Sequence, residues 1–166
     1  MTDTLGNFKA MAHAAAEALR RVETVDIYLE PVQTAWQFAD SPIEREMGQA
    51  IICCQELNGG VPPKVVRPGA PLIADTPLIV APQRRIGEYR ADLAIVCNAT
   101  GRRLVVECDG HEFHEKNQQQ AAHDKSRDRY FLTHGWPVMR FTGAEISRQV
   151  DLCLADVVAY LTGDPA

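Results

Sequence analysis

YRADLAIVCNATGRRLVVECDGHEFHE, residues 89–115, decides how this chain of 166 residues is read. Tyr89 to Cys97 and Arg102 to Asp109 are strand-like runs on either side of Asn98-Ala99-Thr100-Gly101, a turn-forming tetrapeptide, so the stretch predicts a β-hairpin. Side chains alternate with period two, which places Arg90, Asp92, Ala94 and Val96 on one face of the first strand, and Val105, Glu107 and Asp109 on one face of the second. If Cys97 closes opposite Arg102, five steps back along one strand and five forward along the other bring Asp92 opposite Glu107. Opposed Cβ atoms lie about 4.5–5.5 Å apart, and like charges there repel. Asp109 adds a third carboxylate, and Leu93, Ile95, Val105 and Val106 place the cluster in or beside a core, where unpaired charge is costly. A divalent cation removes the conflict, and a small set of hard oxygen ligands suits Mg²⁺ (or Mn²⁺). Asp92, Glu107 and Asp109 are therefore candidate metal ligands, for an ion that binds a phosphate oxygen and activates water. The plainer alternative is a partly exposed hairpin in which Arg90, Arg102 and Arg103 neutralise the acids.

Beyond the hairpin, polar residues 116–128 lead into Tyr130, Phe131 and Leu132, a helix closed by Gly135, and Pro137 to Phe141 reads as a short strand. Thr142-Gly143-Ala144-Glu145 is a capping box, followed by an apolar helical stripe of Ile146, Val150, Leu154, Val157 and Leu161. Before the hairpin, Leu78 to Gln83 reads as a strand with a turn at Ile86-Gly87-Glu88. Residues 58–77 are rich in proline and glycine without a period, a long loop. Ser41-Pro42-Ile43-Glu44 combines an N-cap serine, proline at N1 and glutamate at N3, and Ile43, Met47, Ile51, Cys54 and Leu57 continue as one helical face to Asn58-Gly59-Gly60. Residues 24–40 are ambiguous, with Val25, Ile27 and Leu29 alternating like a short strand and Pro31 interrupting. Phe8, Met11, Ala15, Ala18, Leu19 and Val22 recur at helical spacing. The order helix, helix, three strands, helix, strand, helix predicts an α/β domain with a mixed sheet covered by helices.

Composition is that of an ordinary globular chain, 46% hydrophobic and 23% charged. No apolar run approaches the roughly 20 residues that span a bilayer, and the N-terminus lacks the order of a signal peptide. The five cysteines are odd in number and sit in apolar runs, so they are expected to be reduced, in a cytoplasmic protein with no membrane partner. The net charge of −5 argues against a dedicated nucleic-acid binder. Against that, acidic site residues contribute to the total, and basic residues cluster at Arg84, Arg85 and Arg90 and at Lys125, Arg127 and Arg129.

The run resembles the PD-(D/E)XK nuclease superfamily, whose pattern is an Asp ending one strand and Glu-x-Lys on the next. Asp92 and Glu107 match the two acids, and Asp109 stands where the lysine belongs. The nearer resemblance is to very-short-patch-repair-type endonucleases and the DUF559 group. It rests on Asp92, Glu107-Cys108-Asp109-Gly110-His111-Glu112-Phe113-His114, Arg127-Asp128 and Gly135-Trp136-Pro137-Val138, with Ser41-Pro42-Ile43-Glu44 like the opening helix of those domains. It covers residues 41–146. It implies a restriction-endonuclease-like fold over 41–166, with 1–40 as an N-terminal helical extension, and hydrolysis of a DNA phosphodiester. One strand break needs one such site; a double break calls for a homodimer or two visits.

The missing lysine puts the charge-stabilising group in question. Lys125 on the next helix is a candidate substitute, against a solvated helical face with ordinary charge pairs. His114 is a candidate acid or base, against a structural histidine. Glu44 either points at the metal or bonds back to the Ser41 amide as a capping glutamate. Arg90, Arg127 and Arg129 are candidate phosphate contacts, or balance the acids. His111 and His114 form an HxxH without a third soft ligand, which gives zinc little support. Trp136 and Cys108 read as core. A second reading of the whole keeps the nuclease fold without catalysis, as a domain that binds nucleic acid or a protein partner.

Overall fold

The computed structural model describes residues 26–110 and 118–163. Five strands form one mixed sheet in sequence order: β1 (Lys64–Val65), β2 (Leu78–Ile86), β3 (Tyr89–Cys97), β4 (Arg102–Asp109) and β5 (Val138–Thr142). β1 runs parallel to β2, β2–β3–β4 is an antiparallel meander, and β5 is parallel to β4. A parallel neighbour needs a crossover, and helix α4 (Gln118–Thr133) supplies it between β4 and β5. The remaining helices are α1 (Asp26–Phe38), α2 (Pro42–Cys53), α3 (Gln55–Asn58) and α5 (Gly143–Thr162). This is the expected α/β architecture, a mixed sheet flanked by helices, consistent with a restriction-endonuclease-like fold.

Strand alternation sorts the apolar side chains into two cores. Leu78, Val80, Leu93, Ile95, Leu104 and Val106 pack with Met47 and Ile51 of α2 and Leu154 and Leu161 of α5. On the other face Ile79, Ala81, Ala94, Val96 and Val105 pack under Phe131 of α4 and Trp136. Each strand of the meander is thus buried on both sides, which is why β2 to β4 read as near-continuous apolar runs. The hairpin register is the expected one: Cys97 pairs with Arg102 and the ladder continues to Leu93 with Val106.

Three local expectations change. Residues 26–38 are helical, with Pro31 inside the helix, and not a short strand. Tyr28, Val32 and Ala35 are buried at spacings of four and three, so the tertiary face outweighs the alternation of Val25, Ile27 and Leu29. Residue 40 lies between α1 and α2, two helices in contact. The stripe expected to run unbroken to Leu57 breaks at Cys54, whose φ of −73° and ψ of 105° are extended. Buried Asn58 explains the break: its Nδ2 donates to the Ile52 carbonyl at 2.9 Å and its Oδ1 accepts from Gly60 N at 2.9 Å, so a side chain caps what the helix leaves open. The loop 58–77 contains the two residues of β1.

Both capping motifs are present, but they differ. Thr142 and Glu145 form the full reciprocal box at the start of α5. At α2, Ser41 Oγ accepts from the Glu44 amide at 3.3 Å, but the Glu44 carboxylate takes the Asp40 amide at 2.9 Å and the Ser41 hydroxyl at 2.8 Å. The five cysteines are free, four of them buried. No described helix is long and apolar enough to cross a membrane.

Candidate active site

The site lies where the two core faces stop alternating cleanly. Pro82 pairs with Leu93 and Arg84 with Ala91, so Gln83 stands opposite Asp92 by count, yet these two form no ladder pair. Leu93 belongs to the α2–α5 core and Ala91 to the α4 core, although they are two residues apart in one strand. The break coincides with Gln83, the single non-glycine residue of positive φ (50°) among those described.

One step beyond the Leu93–Val106 pair, Asp92 comes beside Glu107. Asp92 Oδ2 accepts the Cys108 amide at 2.8 Å, which fixes the carboxylate between the strands. Glu107 is 2% exposed, and only one of its oxygens, Oε2, has a partner: Arg127 of α4 at 2.8 Å. Oε1 of Glu107 and Nε of Arg127 are buried without hydrogen-bond partners. Burial raises the Asp92 carboxyl to about 6, with Glu44 and Asp109 adding repulsion against the pull of the Cys108 amide and Arg127. Burial also raises Glu107, to about 8, and its largest electrostatic neighbour is Asp92. The two titrate as a unit, and burial outweighs even the adjacent guanidinium.

Asp109 is drawn away from this pair. Arg140 of β5, paired in register with Glu107, donates to both Asp109 oxygens at 3.1 and 3.3 Å and holds Asp128 of α4 in a two-pronged contact at 2.7 and 3.1 Å. Glu44 enters from α2, 6% exposed, with Oε2 receiving Gln83 Nε2 at 2.7 Å. Beside Asp92 an open cleft of about 580 Å³ is lined by Glu88, Tyr89, Arg90, Asp92, His123 and Arg127. Arg90 lies on its rim, paired with Asp40 at 2.7 Å while both stay more than half exposed.

The structure therefore gathers Glu44, Asp92, Glu107 and Arg127, and sets Asp109 one arginine away. Lys125 and Arg129 are exposed on α4, each two residues from Arg127. Two residues turn a helix by about 200°, so neither shares its inward face. His111 and His114 lie outside the described residues. Cys108 is buried, its thiol pushed far up by burial and the surrounding acids, an inert core residue. Trp136 is core, 6% exposed, with the Arg103 guanidinium 5.5 Å from its ring. Two site residues escape the sequence reading. Arg140 had a signal, an arginine within the short strand Val138–Thr142, whereas Gln83 had only its polarity at the end of an apolar run.

The orphaned Glu107 oxygen and the raised pair are what a divalent cation relieves, and Mg²⁺ is commonly held by one or two carboxylates while keeping waters. Among the described residues no group of three or more His, Cys, Asp or Glu is arranged so that it could hold a metal ion by itself, and Asp109 is tied to Arg140. The fit is to a partly hydrated ion on Asp92 and Glu107.

A helix-flanked mixed sheet with a buried and a half-buried acid on adjoining strands, at the edge of an arginine-lined cleft, is consistent with a restriction-endonuclease-like nuclease domain. The chain belongs to the restriction-endonuclease-like family REase_MTES_1575, which matches residues 71–161 and so spans β2 to α5. No curated protein and no solved structure is significantly similar to it.

Proposed function

We propose that this domain is a Mg²⁺- (or Mn²⁺-) dependent DNA endonuclease whose centre is the Asp92–Glu107 pair, within the DUF559-like branch of the PD-(D/E)XK nucleases. The observation that carries the proposal is Glu107: a carboxylate 2% exposed with a buried, partnerless oxygen beside the half-buried Asp92. Stability alone does not account for that arrangement, because a buried carboxylate oxygen without a hydrogen bond is costly even where its other oxygen is paired. When bound, the divalent ion would polarise the scissile phosphate and lower the pKa of a water.

The protein's own groups have distinct parts. Asp92 and Glu107 would hold the ion, and the Cys108 amide keeps Asp92 oriented. Arg127, already directed into the site, takes the charge-stabilising part of the missing motif lysine and faces the phosphate as the negative charge develops. Arg90 releases Asp40, an exposed pair worth little, to contact a flanking phosphate, with Arg129 and Lys125 further along the backbone. Glu44 orients the attacking water, and His114 is assigned proton transfer. A nick needs one such site; a double-strand break needs a homodimer or two visits.

The test is incubation of the protein with supercoiled plasmid in Mg²⁺ or Mn²⁺ beside Asp92→Ala and Glu107→Ala. Metal-dependent nicking by the wild type alone is expected. The ties of Arg127 to Glu107 and of Arg140 to Asp109 favour a second reading, a catalytically silent domain that binds nucleic acid through the same cleft. DNA binding with no nicking and no metal binding by calorimetry would establish it instead.

A further inference from the structure

Gln83 is costly three times over. Its φ of 50° is a backbone conformation that a residue with a Cβ adopts only under strain. Its side chain is buried, at 6% exposure, so a polar amide has left water. Only half of that amide is satisfied: Nε2 donates to Glu44 Oε2 at 2.7 Å, and Oε1 is buried without a partner. A carboxylate accepts and does not donate, so the nitrogen is the atom that faces Glu44, and the oxygen is the one left free.

The location turns these costs into an argument. Gln83 is the residue opposite Asp92, and the ladder between β2 and β3 is interrupted at that one position while both flanking pairs form. Regular alternation would put Gln83 on the face of Ala81 and Ala94, under α4. The positive φ turns it instead toward α2, where Glu44 waits. Glu44 in turn has its carboxylate claimed by the Asp40 amide and the Ser41 hydroxyl, so Gln83 supplies the one contact that ties it to the sheet. A buried carbonyl oxygen without a donor keeps its full capacity to accept a hydrogen bond.

We propose that Gln83 is a positioning residue of the active site: its amide nitrogen fixes the Glu44 carboxylate toward Asp92, and its free Oε1 accepts a hydrogen bond from the water that Glu44 orients. The assignment rests on the nuclease reading above and adds a residue to it. Water held by two oxygens, one from α2 and one from β2, has its lone pair directed rather than its binding strengthened. Loss of Gln83 therefore lowers turnover and leaves DNA affinity alone.

The experiment uses Gln83→Asn and Gln83→Gly, because both residues accept positive φ and neither reaches Glu44. Expected are thermal midpoints close to the wild type, DNA affinity within about twofold, and kcat on plasmid reduced by about 10–100-fold. In a Glu44→Ala background, Gln83→Asn is expected to cost less than about threefold more, since residues acting as a unit are not additive. In ¹⁵N-resolved spectra the Gln83 side-chain amide should be shifted from its free position and return toward it in Glu44→Ala. Folded Gln83→Asn or Gln83→Gly proteins that cut as fast as the wild type overturn this assignment alone. Additive losses in the double variant, or an amide signal unmoved by Glu44→Ala, overturn it as well. A wild type that cuts no DNA under any metal overturns the nuclease reading and takes the assignment with it.

Discussion

The hairpin of β3 and β4 has two halves built from the same two strands and opposite in character. From Leu93 to Cys97 and from Arg102 to Val106 every ladder pair forms, and the residues facing the cores are almost entirely out of solvent. From Arg90 to Asp92 and from Glu107 to Asp109 the strands carry three acids, an orphaned oxygen and an interrupted ladder on the β2 side. The first half is where local preference, register and burial agree. The second is where they conflict, and where the arginines of α4 and β5 have been brought in to limit the damage. Stability and chemistry are thus separated by a few residues along one pair of strands, which lets the closed half hold the register that the open half requires.

The sharpest way to break this comparison is to remove an acid from the open half. Asp92→Ala is expected to abolish metal-dependent nicking, by about a thousandfold or more, while the protein keeps its far-ultraviolet circular dichroism and its melting cooperativity. A variant that fails to fold would show instead that the open half bears on stability as much as the closed half. The converse substitution is Leu104→Ala, at a side chain wholly out of solvent in the α2–α5 core. A cavity there should cost about 2–5 kcal/mol, or about 5–15 °C in Tm, by thermal denaturation. The folded fraction of that variant should still cut plasmid.

The two halves were not equally legible in the sequence. The ends of β3 and β4 and their register followed from the turn at 98–101 and the apolar alternation, because each side chain in the closed half has one compatible place. The juxtaposition of Asp92 and Glu107 was legible from the same register. The sequence left open a partly exposed hairpin with Arg90, Arg102 and Arg103 as their partners, and the structure gives them the Cys108 amide and Arg127 instead. What stayed hidden was set by neighbours distant in the chain. The spacing put Asp109 on the face of Glu107 but did not show its hydrogen bonds from Arg140, 31 residues on. Lys125 and Arg127 look equivalent in a basic cluster, and only the phase of α4 against the sheet selects Arg127. Gln83 depends on a backbone φ that no periodicity encodes.

Protonation sharpens the contrast next. Both Asp92 and Glu107 are raised in the folded state, from ordinary values of 3.8 and 4.5 to about 6 and about 8. A raised acid binds more protons folded than unfolded, so its contribution is intact below pH 4 and is lost as pH climbs through 6 toward 8. Asp92→Asn keeps an oxygen for the Cys108 amide and has no proton to lose. Its Tm relative to the wild type should therefore rise between pH 5 and pH 8, by about 3–6 °C, in paired thermal melts. Mg²⁺ should narrow the gap by stabilising the wild type at pH 8. A gap that stays constant with pH would mean that Asp92 is not raised by burial.

The smallest effect tests whether proximity to the open half is enough to matter. Thr142 pairs with Asp109 at the end of β5, yet its side chain looks the other way in function: Oγ1 accepts the Glu145 amide at 3.3 Å while the Glu145 carboxylate takes the Thr142 amide at 2.7 Å. Thr142→Ala removes one half of that box and leaves Asp109, Arg140 and Asp128 with the same partners. The expected loss is about 1 kcal/mol, or about 2–4 °C in Tm, with plasmid nicking unchanged at a temperature where both proteins are folded. A fall in nicking without a matching fall in Tm would place the start of α5 inside the site. The boundary between the two halves would then run one strand further than the arginine ties draw it, because among the described residues the side-chain ties from β5 to the acids are those of Arg140.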